Sequence, residues 1–167
     1  MPPLYPRSLR MKGYDYSLAG AYFVTSCTHR RAWLFEHPQL CALANEVWLE
    51  LPERFSCVQL DAFVVMPNHI HGIIYLLASK EADQARTDLN GIIGAFKSMI
   101  AVRWLVWIRE NDPKRSGRIW QRGYYERIIR SERQLNAVRR YIEDNPRRWA
   151  EDRDNLDALV ESMDECR

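Results

Sequence analysis

This sequence predicts a single-domain α+β fold, and three observations point to it. Segments rich in β-branched and aromatic residues alternate with segments whose apolar residues recur every three or four positions, in the order β-α-β-β-α-β-α. The length, 167 residues, suits one domain with one sizeable core. The composition, 47% hydrophobic and 28% charged, is too apolar for a chain that stays unfolded.

Residues 1–18 contain Pro2, Pro3 and Pro6 among basic residues without a period, which reads as an extended arm. Ala21 to Thr28 is a strand, from Tyr22, Phe23, Val24 and Thr25, closed by His29-Arg30-Arg31. Pro38 suits the first turn of a helix that carries Leu40, Leu43, Ala44, Val47 and Trp48 to about Leu51, with Pro52 at its end. Cys57 to Met66 and His69 to Leu77 form two strands joined by the turn Pro67-Asn68, an antiparallel hairpin.

Leu89, Ile92, Ile93, Phe96, Ile100, Trp104, Trp107 and Ile108 mark a long amphipathic helix stopped by Asn111-Asp112-Pro113. A short strand near Tyr124 to Ile129 precedes a helix capped by Ser131 and running to about Asp144, where Pro146 disfavours helical geometry at Asn145. The whole is a split βαβ, ferredoxin-like pattern: an antiparallel sheet with an additional C-terminal helix. The folded domain is expected over residues 19–150, followed by an acidic tail over 151–167.

The net charge of +2 excludes a general polycation, but its distribution is uneven. Arg115, Arg118, Arg122, Arg127, Arg130, Arg133, Arg139, Arg140, Arg147 and Arg148 fall in one segment, which suggests a phosphate-contacting surface. Cys27, Cys41, Cys57 and Cys166 form no CxxC pair, so neither a zinc ribbon nor a disulfide scaffold is indicated, and a reducing cytoplasm is the expected setting. No apolar run approaches the roughly 20 residues of a membrane span, and no secretory leader is evident at Met1 to Arg7, so no membrane partner is expected.

Alternate strand residues share a face, so His69 and His71 project side by side and can share one metal ion. Tyr141 and Asn145, four apart on a helix, also share a face, within about 6 Å of each other. A phenol oxygen suits a nucleophile, and an amide oxygen suits Mg²⁺ or Mn²⁺ beside imidazole. Each feature has an ordinary reading as well. One histidine of an H-x-H packs while the other is exposed, Tyr141 is a half-buried aromatic, and Asn145 caps a helix before Pro146.

Three ordered blocks carry a resemblance that covers the chain from about Tyr22 to Arg148. Phe63-Val64-Val65-Met66-Pro67-Asn68-His69-Ile70-His71 resembles the HUH strand of the single-tyrosine transposases, with Ile70 as the bulky hydrophobic residue. Trp120-Gln121-Arg122-Gly123-Tyr124-Tyr125-Glu126-Arg127 and Tyr141-Ile142-Glu143-Asp144-Asn145-Pro146 resemble two further blocks in the family's order. With Asn where insertion-sequence members commonly have Gln, the ending is most similar to the REP-associated branch.

The resemblance implies a nucleophilic Tyr141, a Mg²⁺ or Mn²⁺ ion on His69, His71 and Asn145, and Lys97 lying towards DNA. Arg122, Arg127, Arg130, Arg139, Arg140 and Arg147 become candidate phosphate contacts. Trp120 is expected to dock its loop onto the core, while Tyr124 and Tyr125 are either core residues or stacking partners for bases. The implied activity is cleavage and rejoining of single-stranded hairpin DNA through a 5′-phosphotyrosine, in the cytoplasm beside the nucleoid. The family also admits a homodimer with exchanged helices. Two other classes compete: a nuclease whose metal activates water, and a non-catalytic nucleic-acid-binding module.

Overall fold

The computed structural model describes residue 15 and residues 18–78 and 88–149. Most of the expected arm and the whole acidic tail lie outside the described residues. The elements are β1 (Gly20–Cys27), α1 (Pro38–Arg54), β2 (Val58–Met66), β3 (His69–Leu76), α2 (Leu89–Asn111), β4 (Tyr125–Ile129) and α3 (Glu132–Arg148). Two short 3-10 turns, His29–Arg31 and Leu34–Glu36, lie between β1 and α1.

The four strands form one antiparallel sheet in the order β2-β3-β1-β4. This is the expected α+β, split βαβ arrangement. Strand alternation sends Tyr22, Val24, Ile70 and Ile74 to one face, where α1 and α2 cover them with Leu40, Val47, Trp48, Ile93 and Phe96. It sends Ala21, Phe23 and Ile73 to the other face, where α3 packs Val138 and Ile142 upon them. His71 differs from Ile73 by two positions and therefore belongs to the α3 face.

Gly72 is the residue that lets the α1 face close over β3. The Trp48 and Phe63 rings stack with centroids 4.2 Å apart. A Cβ on Gly72 would come within 2.4 Å of the Trp48 ring. A β-bulge between Leu60 and Phe63 inserts one extra residue in β2. Beside it Asp61 reaches α3, where its carboxylate accepts hydrogen bonds from Arg139 Nε at 2.9 Å and Nη2 at 2.5 Å.

Helix ends depart from expectation at both internal prolines. The α1 helix passes Pro52 to Arg54, and Phe55 N–H donates to Leu51 O at 2.9 Å. The α3 helix passes Pro146 to Arg148, so Asn145 is an interior helical residue and not a cap. Proline disfavours helical geometry at the preceding residue and removes one donor, but within the last turn only one hydrogen bond is lost. Ser131 caps the other end of α3 as expected, its hydroxyl accepting from Gln134 N–H at 3.2 Å.

Within the 23 residues of α2 an 18-residue stretch reaches a mean hydropathy of 1.5, so by length and composition alone this helix could cross a membrane. Lys97 and Arg103 interrupt the run in the sequence but do not lower its average enough. Leu89, Ile92, Ile93, Phe96, Ile100, Trp104 and Ile108 of α2 are buried in the protein's own core.

Candidate active site

Register places the histidines at the end of the two central strands. His71 lies opposite Thr25 on β1 and Val64 on β2, and His69 lies opposite Cys27 and Met66. The two Nε2 atoms are 2.9 Å apart, with His71 fully buried and His69 nearly so. Each Nδ1 meets an oxygen: Asn68 Oδ1 at 2.6 Å from His69, and Thr25 Oγ1 at 2.8 Å from His71. These partners decide the tautomers. Asn68 Oδ1 only accepts, so His69 carries its proton on Nδ1 and turns a bare Nε2 towards His71.

Burial pushes the His69 pKa down to about 3, and the nearby Arg31 charge adds to the effect. His71 is held well below the usual imidazole range, first by burial and then by His69 and Arg31. Both imidazoles are therefore neutral at physiological pH, the form that ligates metals. Without a cation the pair is satisfied when His71 Nε2–H donates to His69 and the Thr25 hydroxyl donates to His71 Nδ1. A cation requires the His71 proton to sit on Nδ1, where Thr25 Oγ1 can accept it.

The separation also fits a shared ion. Two ligands at right angles, each about 2.0–2.1 Å from an octahedral ion, lie about 2.9 Å apart. Among the described residues no cluster of three His, Cys, Asp or Glu side chains adds to the pair. A third protein ligand would have to be of another type, and α3 supplies a candidate.

Three positions on one face of α3 line this side of the sheet. Tyr141 Oη is 3.4 Å from His71 Nε2, and the two rings meet with centroids 5.2 Å apart. Trp149, two turns later, meets the His69 ring at 5.7 Å. Asn145, four residues from each, is 9% exposed and shares their face. The structure thus brings Tyr141, His69 and His71 together, with Asn145 on the helical turn between the two contacts. Continuation of α3 past Pro146 is what sets this spacing.

The expected DNA contacts divide. Arg122, Arg130, Arg140 and Arg147 have exposed side chains, while Arg127 is half-buried on β4. Arg139 is committed to Asp61, which raises the arginine's pKa and lowers that of the carboxylate. Lys97 is also committed: its ammonium donates to Gln121 O at 2.8 Å and Gly123 O at 2.7 Å, and lies 5.4 Å from the Trp120 ring centroid. Burial lowers its pKa to about 8.

Trp120 docks its loop as expected, donating from Nε1 to Lys97 O at 3.0 Å and packing on Phe35 and Phe96. Tyr124 and Tyr125 pack against the two core clusters, and Tyr124 Oη donates to Asn90 Oδ1 at 2.8 Å. Sequence reasoning missed Thr25, Arg31, Trp33 and Trp149 as neighbours of the site. Trp149 had a signal, lying eight residues after Tyr141. Thr25 had none without the strand register.

The sheet of this order thus carries a buried histidine pair facing a helical tyrosine. Residues 17–145 match the family described as Transposase IS200 like, and the chain belongs to that family. It is 35% identical over 169 aligned positions to an uncharacterised protein of Haemophilus influenzae, covering 87% of this chain and 91% of that one. It also resembles the structure of a REP-associated tyrosine transposase bound to a REP hairpin, at a TM-score of 0.57 and 22% identity. That likeness covers 81% of this chain and 73% of the other, and it concerns the fold.

Proposed function

We propose that the protein cleaves and rejoins single-stranded hairpin DNA, as a REP-associated type of single-tyrosine transposase with Tyr141 as nucleophile. The observation that carries this reading is the approach of Tyr141 Oη to within 3.4 Å of His71 Nε2, itself 2.9 Å from His69 Nε2. A phenol placed against two neutral, inward-facing imidazoles has no packing requirement that phenylalanine would not meet.

His69, His71 and Asn145 would hold a Mg²⁺ or Mn²⁺ ion. Such an ion supplies charge neutralisation and orientation of the scissile phosphate when bound. Tyr141 Oη attacks phosphorus in line, forming the Tyr O–P bond as the P–O3′ bond breaks. The fragment on the 3′ side of the cut stays on the enzyme, its 5′-phosphate joined to Tyr141, and the departing 3′ oxygen of the other fragment takes a proton to become a hydroxyl.

A phenol has an ordinary pKa near 10, so its proton must leave during attack. His71 Nε2 is the nearest base, but its one lone pair cannot both ligate a cation and accept that proton. The proton therefore passes to water beside the half-buried Tyr141. The phosphotyrosine keeps the energy of the broken phosphodiester, so a second 3′-hydroxyl can attack it and release Tyr141 without ATP.

Incubation with end-labelled hairpin DNA and Mn²⁺, followed by a denaturing gel, tests this reading. A shifted adduct in the parent, lost in Tyr141→Phe and with chelator, is the expected result. Cleavage that persists in Tyr141→Phe without an adduct would replace it with a water-activating nuclease. Binding without cleavage on every hairpin tried would favour a binding module.

A further inference from the structure

A row of three rings leads outward from the histidine pair. Trp149 meets His69 at 5.7 Å with a tilt of 47°, and Trp33 meets Trp149 edge-to-face at 6.2 Å and 67°. Trp33, 46% exposed, is the most exposed aromatic ring among the described residues. Neither indole belongs to the two core clusters.

The loop that carries Trp33 is fixed to the turn before His69. Thr28 Oγ1 donates to Ala32 O at 2.6 Å or to Asn68 O at 2.9 Å, and Phe35 N–H donates to Pro67 O at 3.0 Å. Arg30 and Arg31 in this loop both have φ of +54°, a left-handed conformation that costs non-glycine residues about 1–2 kcal/mol each. This backbone sets Arg31 two residues before Trp33, in the loop tied to the turn that precedes His69. An exposed flat ring, a cation and a reaction centre thus adjoin one another.

We propose that Trp33, Trp149 and Arg31 form a nucleotide subsite beside the histidine pair, which takes one unpaired base of single-stranded DNA on the Trp33 indole and its phosphate on Arg31. Bases and indoles stack through flat faces, and a base within a duplex has no free face to offer. The subsite therefore selects single strands and fixes the nucleotide next to the phosphate being cut. This rests on the reading of the site as one that cleaves single-stranded DNA.

Binding measured without chemistry separates the two ideas. Fluorescence anisotropy in chelator would compare the parent, Trp33→Ala and Trp33→Phe on a labelled hairpin with single-stranded flanks and on a fully paired duplex. Stacking contributes about 1–3 kcal/mol per base, so Trp33→Ala should weaken hairpin binding about five-fold or more and leave duplex binding unchanged. Trp33→Phe should restore most of the loss, with equal urea midpoints for all three proteins.

Parent-like affinity in Trp33→Ala would overturn the subsite while leaving the transposase reading intact. Equal losses in the Ala and Phe variants, or equal losses on hairpin and duplex, would also overturn it. A parent that binds neither probe would bring down both the subsite and the reading beneath it.

Discussion

Replacing Thr25 by Val isolates the role of a single oxygen. The side chain is 1% exposed and its hydroxyl lies 2.8 Å from His71 Nδ1, while valine keeps the shape and the strand preference. Loss of the hydroxyl orphans a buried ring nitrogen, which costs about 1–3 kcal/mol. Burying a methyl in its place returns about 0.8 kcal/mol, so the net destabilisation should be about 1 kcal/mol by urea unfolding in chelator. The larger effect falls on the metal. His71 needs its proton on Nδ1 to free Nε2, and removal of the group that accepts it should weaken Mn²⁺ binding about 10- to 100-fold by titration calorimetry. Thr25→Ser keeps the oxygen and should bind within a few-fold of the parent. Parent-like Mn²⁺ affinity in Thr25→Val would refute both the tautomer assignment and the role of His71 as a ligand.

Two further outcomes follow from the charges. The His69 pKa falls from an ordinary 6.5 to about 3 on folding, so the unfolded chain binds the extra proton between these values. Stability from this group is full above pH 6.5 and is lost as pH falls towards 3. Between pH 7.5 and 5.5 the metal-free protein should lose on the order of 1 kcal/mol through His69, and a His69→Asn variant should show a correspondingly flatter profile by urea unfolding. On the basic surface, the exposed Arg140 should contribute one phosphate contact, so Arg140→Ala should reduce the salt slope of single-strand binding by about 0.7. Arg139→Ala should leave that slope unchanged, since its guanidinium is held by Asp61.

What the sequence reveals about this fold is whatever depends on period and local chemistry. Strand alternation places His69 and His71 on one face, and helical spacing places Tyr141 and Asn145 on one face, before any coordinates are known. What it conceals depends on register and charge pairing. Thr25 reaches His71 only because β1 pairs with β3 in one register, 46 residues away. Arg139 looks like its neighbours until the β2 bulge brings Asp61 beneath it. Lys97 reads as a cation turned towards a ligand, yet two carbonyls of the Gln121–Gly123 loop take its protons. The prolines mislead in a specific way: each disfavours helix locally, and each is overridden within one turn of the end by packing that continues beyond it.

That override matters for the site, because one side chain links its two halves. Phe23, fully buried on β1, stacks on His71 at 5.3 Å and meets Tyr141 edge-on at 6.2 Å. The sheet contributes the histidines and α3 contributes the tyrosine, and between sheet and helix the Phe23 ring sets the spacing. The α3 helix is then fixed at three levels along its length: by Arg139 on Asp61, by Ile142 in the small core cluster, and by Trp149 on His69. A helix ending at Asn145 would lose the last of these and leave the asparagine at a frayed terminus. Running through Pro146 instead keeps Asn145 inside the helix, between two residues that each touch a histidine.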